Sequence, residues 1–277
     1  MAPQKGIRTL GTIQTGAAAL VFALGSIALL SAAGPDTKTL AGWTRYVAAV
    51  EARLAHDIQR GPFLAIDAPE RADERRRMMA GGFVTAAVET RDARGAEIDL
   101  PNGLVHDWRG DVLIPGATLD QILGRLERAA PPAPPNEVLA SRIVEAGPGW
   151  NRVALTLRRQ KVISVVYATE HLVTFRRLPP GRAVSSSVAT SITELADYGT
   201  ATQKPVAPDD DHGFLWRWNA YWRFLETPEG VIAECESISV SRDVPSLVRF
   251  IAGPIIRDTA RESMTSALEA MHQAFRR

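Results

Sequence analysis

Two glutamates placed two residues apart, Glu234 and Glu236, are the side chains of this sequence best suited to do chemistry. A carboxylate can hold the polar end of a ligand by hydrogen bonding, or act as a general acid or base when burial raises its pKa. Both lie in the segment 231–242, which reads as a strand, so both should point to one face of a sheet. The pair is a weak motif, and ion pairs with arginines such as Arg242 are the alternative.

His106 is the second candidate. On the predicted strand 104–114 it shares a face with Trp108, which directs it toward the interior of the fold, while Asp107 and Arg109 fall on the other face. No nucleophile or acid of a catalytic triad can be placed beside it, so a histidine of the core or its rim is the default over a catalytic base.

The segment 214–225 predicts a strand with one strongly aromatic face. Its even-numbered positions are Phe214, Trp216, Trp218, Ala220, Trp222 and Phe224. A large aromatic ring buries about 150 to 250 Å², so this face should point toward a helix or a ligand. Simple packing of the core is the alternative.

A short turn through Pro228 and Gly230 joins this strand to the one with the glutamates, so the two form a predicted hairpin. If 226–230 is the loop, Leu225 pairs near Val231. Glu234 and Glu236 then lie beneath the tryptophans, and Cys235 lies on the opposite face. A one-residue bulge would reverse these faces.

The sequence predicts no metal and no cofactor. Residues 209–212 have the types of metal ligands but follow Pro208 in a polar loop and lack the spacing of a calcium loop. Cys235 is the only cysteine and there are five histidines, which excludes an internal disulfide and a thiolate zinc site. The serines at 185–187 have no nucleophile-elbow motif around them, and no phosphate-binding glycine motif is present.

The elements that must position these residues follow an α+β order. An amphipathic helix of about four to five turns begins near Leu40, Thr118 is predicted to cap a helix over 119–128, and Asn136 to cap a second short helix through Val144. About five strands follow between 152 and 242. A long helix opened by Pro254 closes the chain with the buried stripe Met264, Leu268, Met271 and Phe275, and it can cover the apolar face of an antiparallel sheet.

The N-terminus predicts export. Lys5 and Arg8 precede the uncharged run 17–33, the pattern of a secretory signal cut ahead of Gly34. An uncleaved anchor is the alternative, with membrane association through residues 9–33. Either one predicts a periplasmic or secreted chain, anchored to the membrane in the second case.

Three segments resemble START-like (SRPBCC) helix-grip proteins, in particular an uncharacterised bacterial group: LVHDWRGDVLIPGATLDQIL, DHGFLWRWNAYWRF and AECESISVSRDVPS. The resemblance covers about residues 103–277 and implies a curved antiparallel sheet wrapped around a long C-terminal helix, with a cavity between them. Residues 34–102 would form an N-terminal helical extension packed on that domain. Members of this superfamily bind lipids, sterols, polyketides and plant hormones, and a minority are cyclases or hydroxylase components, so the fold alone does not fix a function.

The predicted function is non-catalytic binding or carriage of a hydrophobic small molecule or lipid. Its site would contain Trp216, Trp218, Trp222, Phe224, Glu234, Glu236 and His106, with a glutamate orienting the ligand. The alternatives are a cyclase-like or hydrolase-like enzyme that uses a cavity carboxylate with His106, and a ligand-free structural protein of the envelope. A net charge of +1 over 277 residues argues against a nucleic-acid partner. The oligomeric state is left open.

Overall fold

The computed structural model describes residues 34–130, 134, 137–160, 164–243 and 246–275. The predicted signal or anchor, residues 1–33, lies outside the described residues. Within the described ranges, no helix combines the length and the apolar character that crossing a membrane requires.

The described residues form an α+β fold around one nine-stranded antiparallel sheet. The helices are α1 (Thr37–Gln59), α2 (Ala72–Met79), α3 (Leu119–Arg128) and α4 (Ser246–Phe275), with 3-10 turns at Ala65–Asp67 and Pro69–Arg71. The strands are β1 (Val84–Ala87), β2 (Gly103–Pro115), β3 (Val138–Gly147), β4 (Trp150–Gln160), β5 (Ser164–Leu178), β6 (Arg182–Ala196), β7 (Lys204–Pro205), β8 (Arg217–Thr227) and β9 (Gly230–Arg242). Their spatial order is β1-β2-β9-β8-β6-β5-β4-β3, and β7 pairs with β6.

The sheet curves around α4. Met264 and Leu268 of the helix press on Gly110 of β2, where a Cβ atom would lie 2.8 Å from Met264 and 2.7 Å from Leu268. The adjacent Ser263 accepts a hydrogen bond of 2.7 Å from Arg159 of β4. In a flat sheet β2 and β4 would be about 24 Å apart, five strand spacings of about 4.8 Å. Neighbouring residues of one helix reach both strands only because the sheet bends, which confirms the predicted helix-grip arrangement.

Local signals explain the first helices. Asp36 caps α1 by accepting a hydrogen bond of 2.8 Å from the Thr39 N–H. Thr118 and Gln121 form a reciprocal capping box at the start of α3, as the sequence predicts for the helix 119–128.

Two sequence predictions about elements are wrong. Residues of the predicted second short helix form β3, an edge strand that pairs with β4. Val138 pairs with Leu157 and Ile143 with Val153 of β4, so sheet pairing outweighs the local helical spacing. The closing helix begins at Ser246, before Pro254, and continues through that proline.

The segment 34–102 packs on the convex face of the sheet, opposite α4, and adds β1 to its edge. Trp43, Tyr46, Val50 and Leu54 of α1 pack there in a cluster with Ile238 and Val240 of β9. Phe63, Leu64 and Ile66, from the chain that follows α1, form a second cluster with Leu113 and Ile232. The centre of the sheet is therefore buried on both faces.

Candidate functional site

The concave face, the side of the sheet toward α4, holds most of the predicted aromatic row. Trp222 stacks on Phe224 with ring centroids 5.9 Å apart and an angle of 3° between the planes. Phe224 is fully buried in the cluster that α3 and α4 form with the sheet. Trp218 and Trp222 are only half-buried, as are Trp108 and Phe175 on the same face. Four large rings here are thus left partly uncovered.

A group of hydroxyls and one imidazole lies beside Trp218. The His171 ring meets Trp218 edge-on at 4.9 Å between centroids. Its Nε2 lies 3.0 Å from Thr169 Oγ1 and its Nδ1 lies 3.2 Å from Ser187 Oγ. The indole N–H of Trp218 donates to Ser237 Oγ at 3.0 Å. Burial lowers the pKa of His171 to about 4, so this imidazole is neutral at pH 7.

His106 lies on the α4 side of β2, as its position in the strand predicts. Its Nε2 lies 2.9 Å from Ser241 Oγ on the neighbouring strand. Burial, and secondly the charge of Arg159, lowers the pKa of His106 to about 4. His106 is therefore neutral at pH 7 and hydrogen-bonded to Ser241.

Trp216 is not part of this face, so its predicted place beside Trp218 is wrong. It is buried with Trp43 and Tyr46 of α1, and the Arg242 guanidinium lies 5.8 Å from its ring centroid. The alternation that predicts its place holds only within β8, which begins one residue later at Arg217.

Glu234 and Glu236 also lie on the convex face, so the prediction that they sit beneath the tryptophans is wrong. The hairpin turn contains only Pro228 and Glu229, because Thr227 pairs with Gly230. Leu225 therefore pairs with Ile232 rather than near Val231, and this slip of one residue turns every side chain of β9 to the other face. Cys235 is consequently opposite Trp222 on the concave side.

Both glutamates are buried in ion pairs that join the sheet to the N-terminal extension. Glu236 pairs with Arg53 of α1, and Glu234 pairs with Arg223 of β8. Glu234 Oε2 also accepts a hydrogen bond of 2.7 Å from the backbone N–H of Ala65. Each glutamate side chain is 1% exposed. Arginine pairing, the alternative considered above, explains them, with Arg53 and Arg223 in place of Arg242.

Two aspartates that the sequence does not single out as site residues complete this buried layer. Asp107 accepts hydrogen bonds from the hydroxyls of Tyr46 at 2.8 Å and Thr90 at 2.9 Å. Burial, and secondly the charge of Glu236, raises the pKa of Asp107 to about 7. Burial, followed by the charge of Glu234, also raises the pKa of Asp111. The available signal was the spacing Asp107, Arg109, Asp111, which places three charges on one face of a strand with apolar neighbours.

This geometry does not assemble the acid–base pair of the enzyme alternative. His106 is on the concave face and the two glutamates are on the convex face, with the sheet between them. Among the described residues, no three histidine, cysteine, aspartate or glutamate side chains are close enough together to hold a metal ion. In the loop 209–212, His212 Nδ1 lies 2.5 Å from Glu194 Oε1.

No protein-family model matches the sequence. No curated protein matches it significantly either. Among solved structures, the STAR-related lipid transfer protein from Xanthomonas axonopodis is 16% identical, with 70% of this chain and 99% of that chain covered and a TM-score of 0.44. The human StarD13 lipid transfer and protein localization domain is 11% identical, with 77% and 99% covered and a TM-score of 0.39. The di-domain ARO/CYC BexL is 18% identical, with 61% and 48% covered and a TM-score of 0.37.

Proposed function

We propose that this chain, whose helix-grip fold is START-like, binds and carries a hydrophobic small molecule or lipid on the concave face of its sheet. One observation carries the proposal: Trp218 and Trp222 lie on the face that α4 crosses and are half-buried there, while Phe224 in the same row is fully buried. Packing alone would bury the whole row, since rings of this size dominate core energetics. Partly uncovered rings beside a few polar groups are the composition of a ligand site.

The rings are held by elements that need no ligand to form. Phe224 is fixed by α3 and α4, and Trp222 stacks on it. The indole N–H of Trp218 is fixed by Ser237. A preformed apolar surface costs less to bind than one that must first become ordered.

Export is part of the proposal. It rests on the uncharged run 17–33 behind Lys5 and Arg8. Such a chain would take up its ligand outside the cytoplasm. Fusion of alkaline phosphatase after residue 60 should give active enzyme in a bacterial host, and a version lacking residues 1–33 should not. Equal phosphatase activity of both fusions would contradict export.

Lipid extraction of the purified full chain tests the binding function. We expect native mass spectrometry to show a co-purifying apolar molecule, and organic extraction to release it. The empty protein should then bind 10-(1-pyrenyl)decanol, followed by the vibronic band ratio of pyrene. A chain that is always purified empty and does not bind this probe would refute the proposal.

A further inference from the structure

We infer that the polar group of this ligand is uncharged, a hydroxyl or carbonyl such as that of a long-chain alcohol or ester, and neither a carboxylate nor a phosphate. The inference rests on the proposed function, because it concerns the same concave face. It follows from how the sheet distributes its charged side chains between its two faces.

Away from their ends, the central strands place their charges on the convex face. On β2, β8 and β9 these are Asp107, Arg109, Asp111, Arg223, Glu234 and Glu236. The residues that alternate with them on β9 are Ser237, Ser239 and Ser241, which point to the concave side with Trp218 and His106. A single strand thus presents carboxylates to the extension and hydroxyls to the ligand face.

The polar groups beside Trp218 can both donate and accept hydrogen bonds without any charge. Thr169, His171 and Ser187 form a chain of hydroxyl, imidazole and hydroxyl. A hydroxyl has one donor and two acceptor sites, so Ser187 and Ser237 each keep hydrogen-bonding capacity after their contacts with His171 and Trp218. Both serines are half-buried. They are placed to bind a hydroxyl or a carbonyl.

The charged side chains that the described strands direct to this side stand at its margins. Glu226, at the end of β8, accepts a hydrogen bond of 3.4 Å from the Leu119 N–H of α3. The others have side-chain partners. Arg159 binds Glu137 at 2.8 Å, and Glu194 contacts His212 at 2.5 Å. Arg177 pairs with Asp120 at 2.6 Å near the start of α3. An anionic ligand group beside Trp218 would lose its water and gain no counter-ion from these described side chains, which disfavours it strongly.

Three probes with the same pyrenyl decyl chain test this inference on the full chain. They are 10-(1-pyrenyl)decanol, the methyl ester of the corresponding acid, and the permanently anionic decyl sulfate. We expect the alcohol and the ester to bind at least about tenfold more tightly than the sulfate, since a buried charge without a partner is costly. Equal or tighter binding of the sulfate would overturn the inference and leave the proposed function standing. Absence of binding by all three probes would refute the proposed function itself.

A pair of serine variants locates the polar contact. Ser187→Ala should lower the affinity for the alcohol about fivefold, the effect of one hydrogen bond, and change the affinity for the sulfate little. Ser186→Ala is the matched control, because its hydroxyl bonds Thr174 at 2.8 Å on the other face. If Ser186→Ala weakens alcohol binding as much as Ser187→Ala, or neither variant does, this placement of the contact is wrong.

Discussion

Glu234 of β9 lies directly opposite Asp111 of β2, and both carboxyl groups are buried between the sheet and the N-terminal extension. Burial raises the pKa of Asp111, and the charge of Glu234 raises it further, because two carboxylates this close do not both ionise readily. Glu234 pairs with Arg223, whose Nη1 is also 3.4 Å from Asp57 of α1. Arg71, just before α2, approaches Asp111 at 3.5 Å. The pair thus ties three segments of the extension, including Ala65, to the sheet.

The two members of this pair should respond differently to neutralisation. Asp111→Asn keeps a hydrogen-bond donor where Asp111 carries a proton, so we expect its free energy of unfolding to change by less than about 1 kcal/mol. Glu234→Gln leaves Arg223 buried without its nearest charge partner and should lower the free energy of unfolding by about 3 kcal/mol. Urea unfolding of both variants, with the exposed Glu229→Gln as control, measures the difference. Equal losses for Asp111→Asn and Glu234→Gln would contradict the raised pKa of Asp111.

Asp107 should make stability depend on pH. Its pKa in the folded protein is about 7, above the ordinary value of 3.8, because burial and then Glu236 disfavour its charge. The stabilisation is therefore complete below about pH 4 and is lost as the pH rises to 7. Tyr46, Thr90 and Arg53 also act on this carboxyl group and partly oppose the shift.

Asp107→Asn isolates this effect. Two buried histidines act in the opposite direction, since their folded pKa values of about 4 lie below the ordinary 6.5 and their stabilisation is lost as the pH falls through 4. The useful quantity is therefore the difference in unfolding free energy between the native chain and Asp107→Asn. Between pH 4 and 7 it should shift against the native chain by up to about 1.4 kcal/mol per pH unit. A difference that does not vary with pH would refute the raised pKa.

The sequence was sufficient for elements whose signals are local. Thr118 caps α3 through contacts within one turn, and the four-residue spacings of α1 identify its buried side. The sequence was insufficient where a shift of one residue decides on which face of the sheet a side chain lies. Both a turn of Pro228 and Glu229 and a loop over 226–230 fit the local sequence, but only the first places Cys235 opposite Trp222. Trp216 was misplaced for a similar reason, since alternation says nothing about where a strand begins.

Cys235 offers a test of the apolar packing on the concave face of β9. The structure buries its thiol in the cluster with Val112 and Met264, and burial, with secondary contributions from Glu236 and Glu234, raises its pKa. Reaction with 5,5′-dithiobis(2-nitrobenzoate) should thus be at least about a hundredfold slower in the folded chain than in 6 M guanidinium. Cys235→Val should fold with a loss below about 1.5 kcal/mol, because the site is apolar. Fast labelling of the folded chain, or a severe loss on Cys235→Val, would contradict this buried, apolar position.

Substitution of Gly110 should lower the stability of the fold, because α4 crosses β2 at this residue. A Cβ atom there would lie 2.7 Å from the Leu268 side chain and 2.8 Å from the Met264 side chain, so Gly110→Ala must move these side chains or the helix and should cost about 1 to 3 kcal/mol. Gly124 of α3 is the matched control, since a Cβ there meets only the end of the flexible Arg128 side chain at 2.8 Å. Gly124→Ala should be neutral or stabilising by up to about 1 kcal/mol. Thermal unfolding measures both, and a neutral Gly110→Ala would contradict the close approach of α4.

The six tryptophans divide between the concave face, where the ligand is proposed to bind, and the rest of the fold. Trp108, Trp218 and Trp222 lie on the concave face, whereas Trp43 and Trp216 pack with the extension and Trp150 lies on the convex side of β4. Trp218→Ala and Trp222→Ala each remove part of a half-buried apolar surface and should weaken binding of 10-(1-pyrenyl)decanol about tenfold. Trp150→Ala removes a ring of the same size from the other face and should leave this affinity unchanged.

The comparison is informative only if the variants fold, which circular dichroism and the melting temperature establish. Trp222 stacks on Phe224, so Trp222→Ala also leaves a gap in the core and should lower the melting temperature more than Trp218→Ala. Trp218 shares an edge contact with His171 and one hydrogen bond with Ser237, and its loss should be felt more in binding than in stability. If Trp150→Ala weakens probe binding as much as Trp218→Ala does, the ligand does not occupy the concave face.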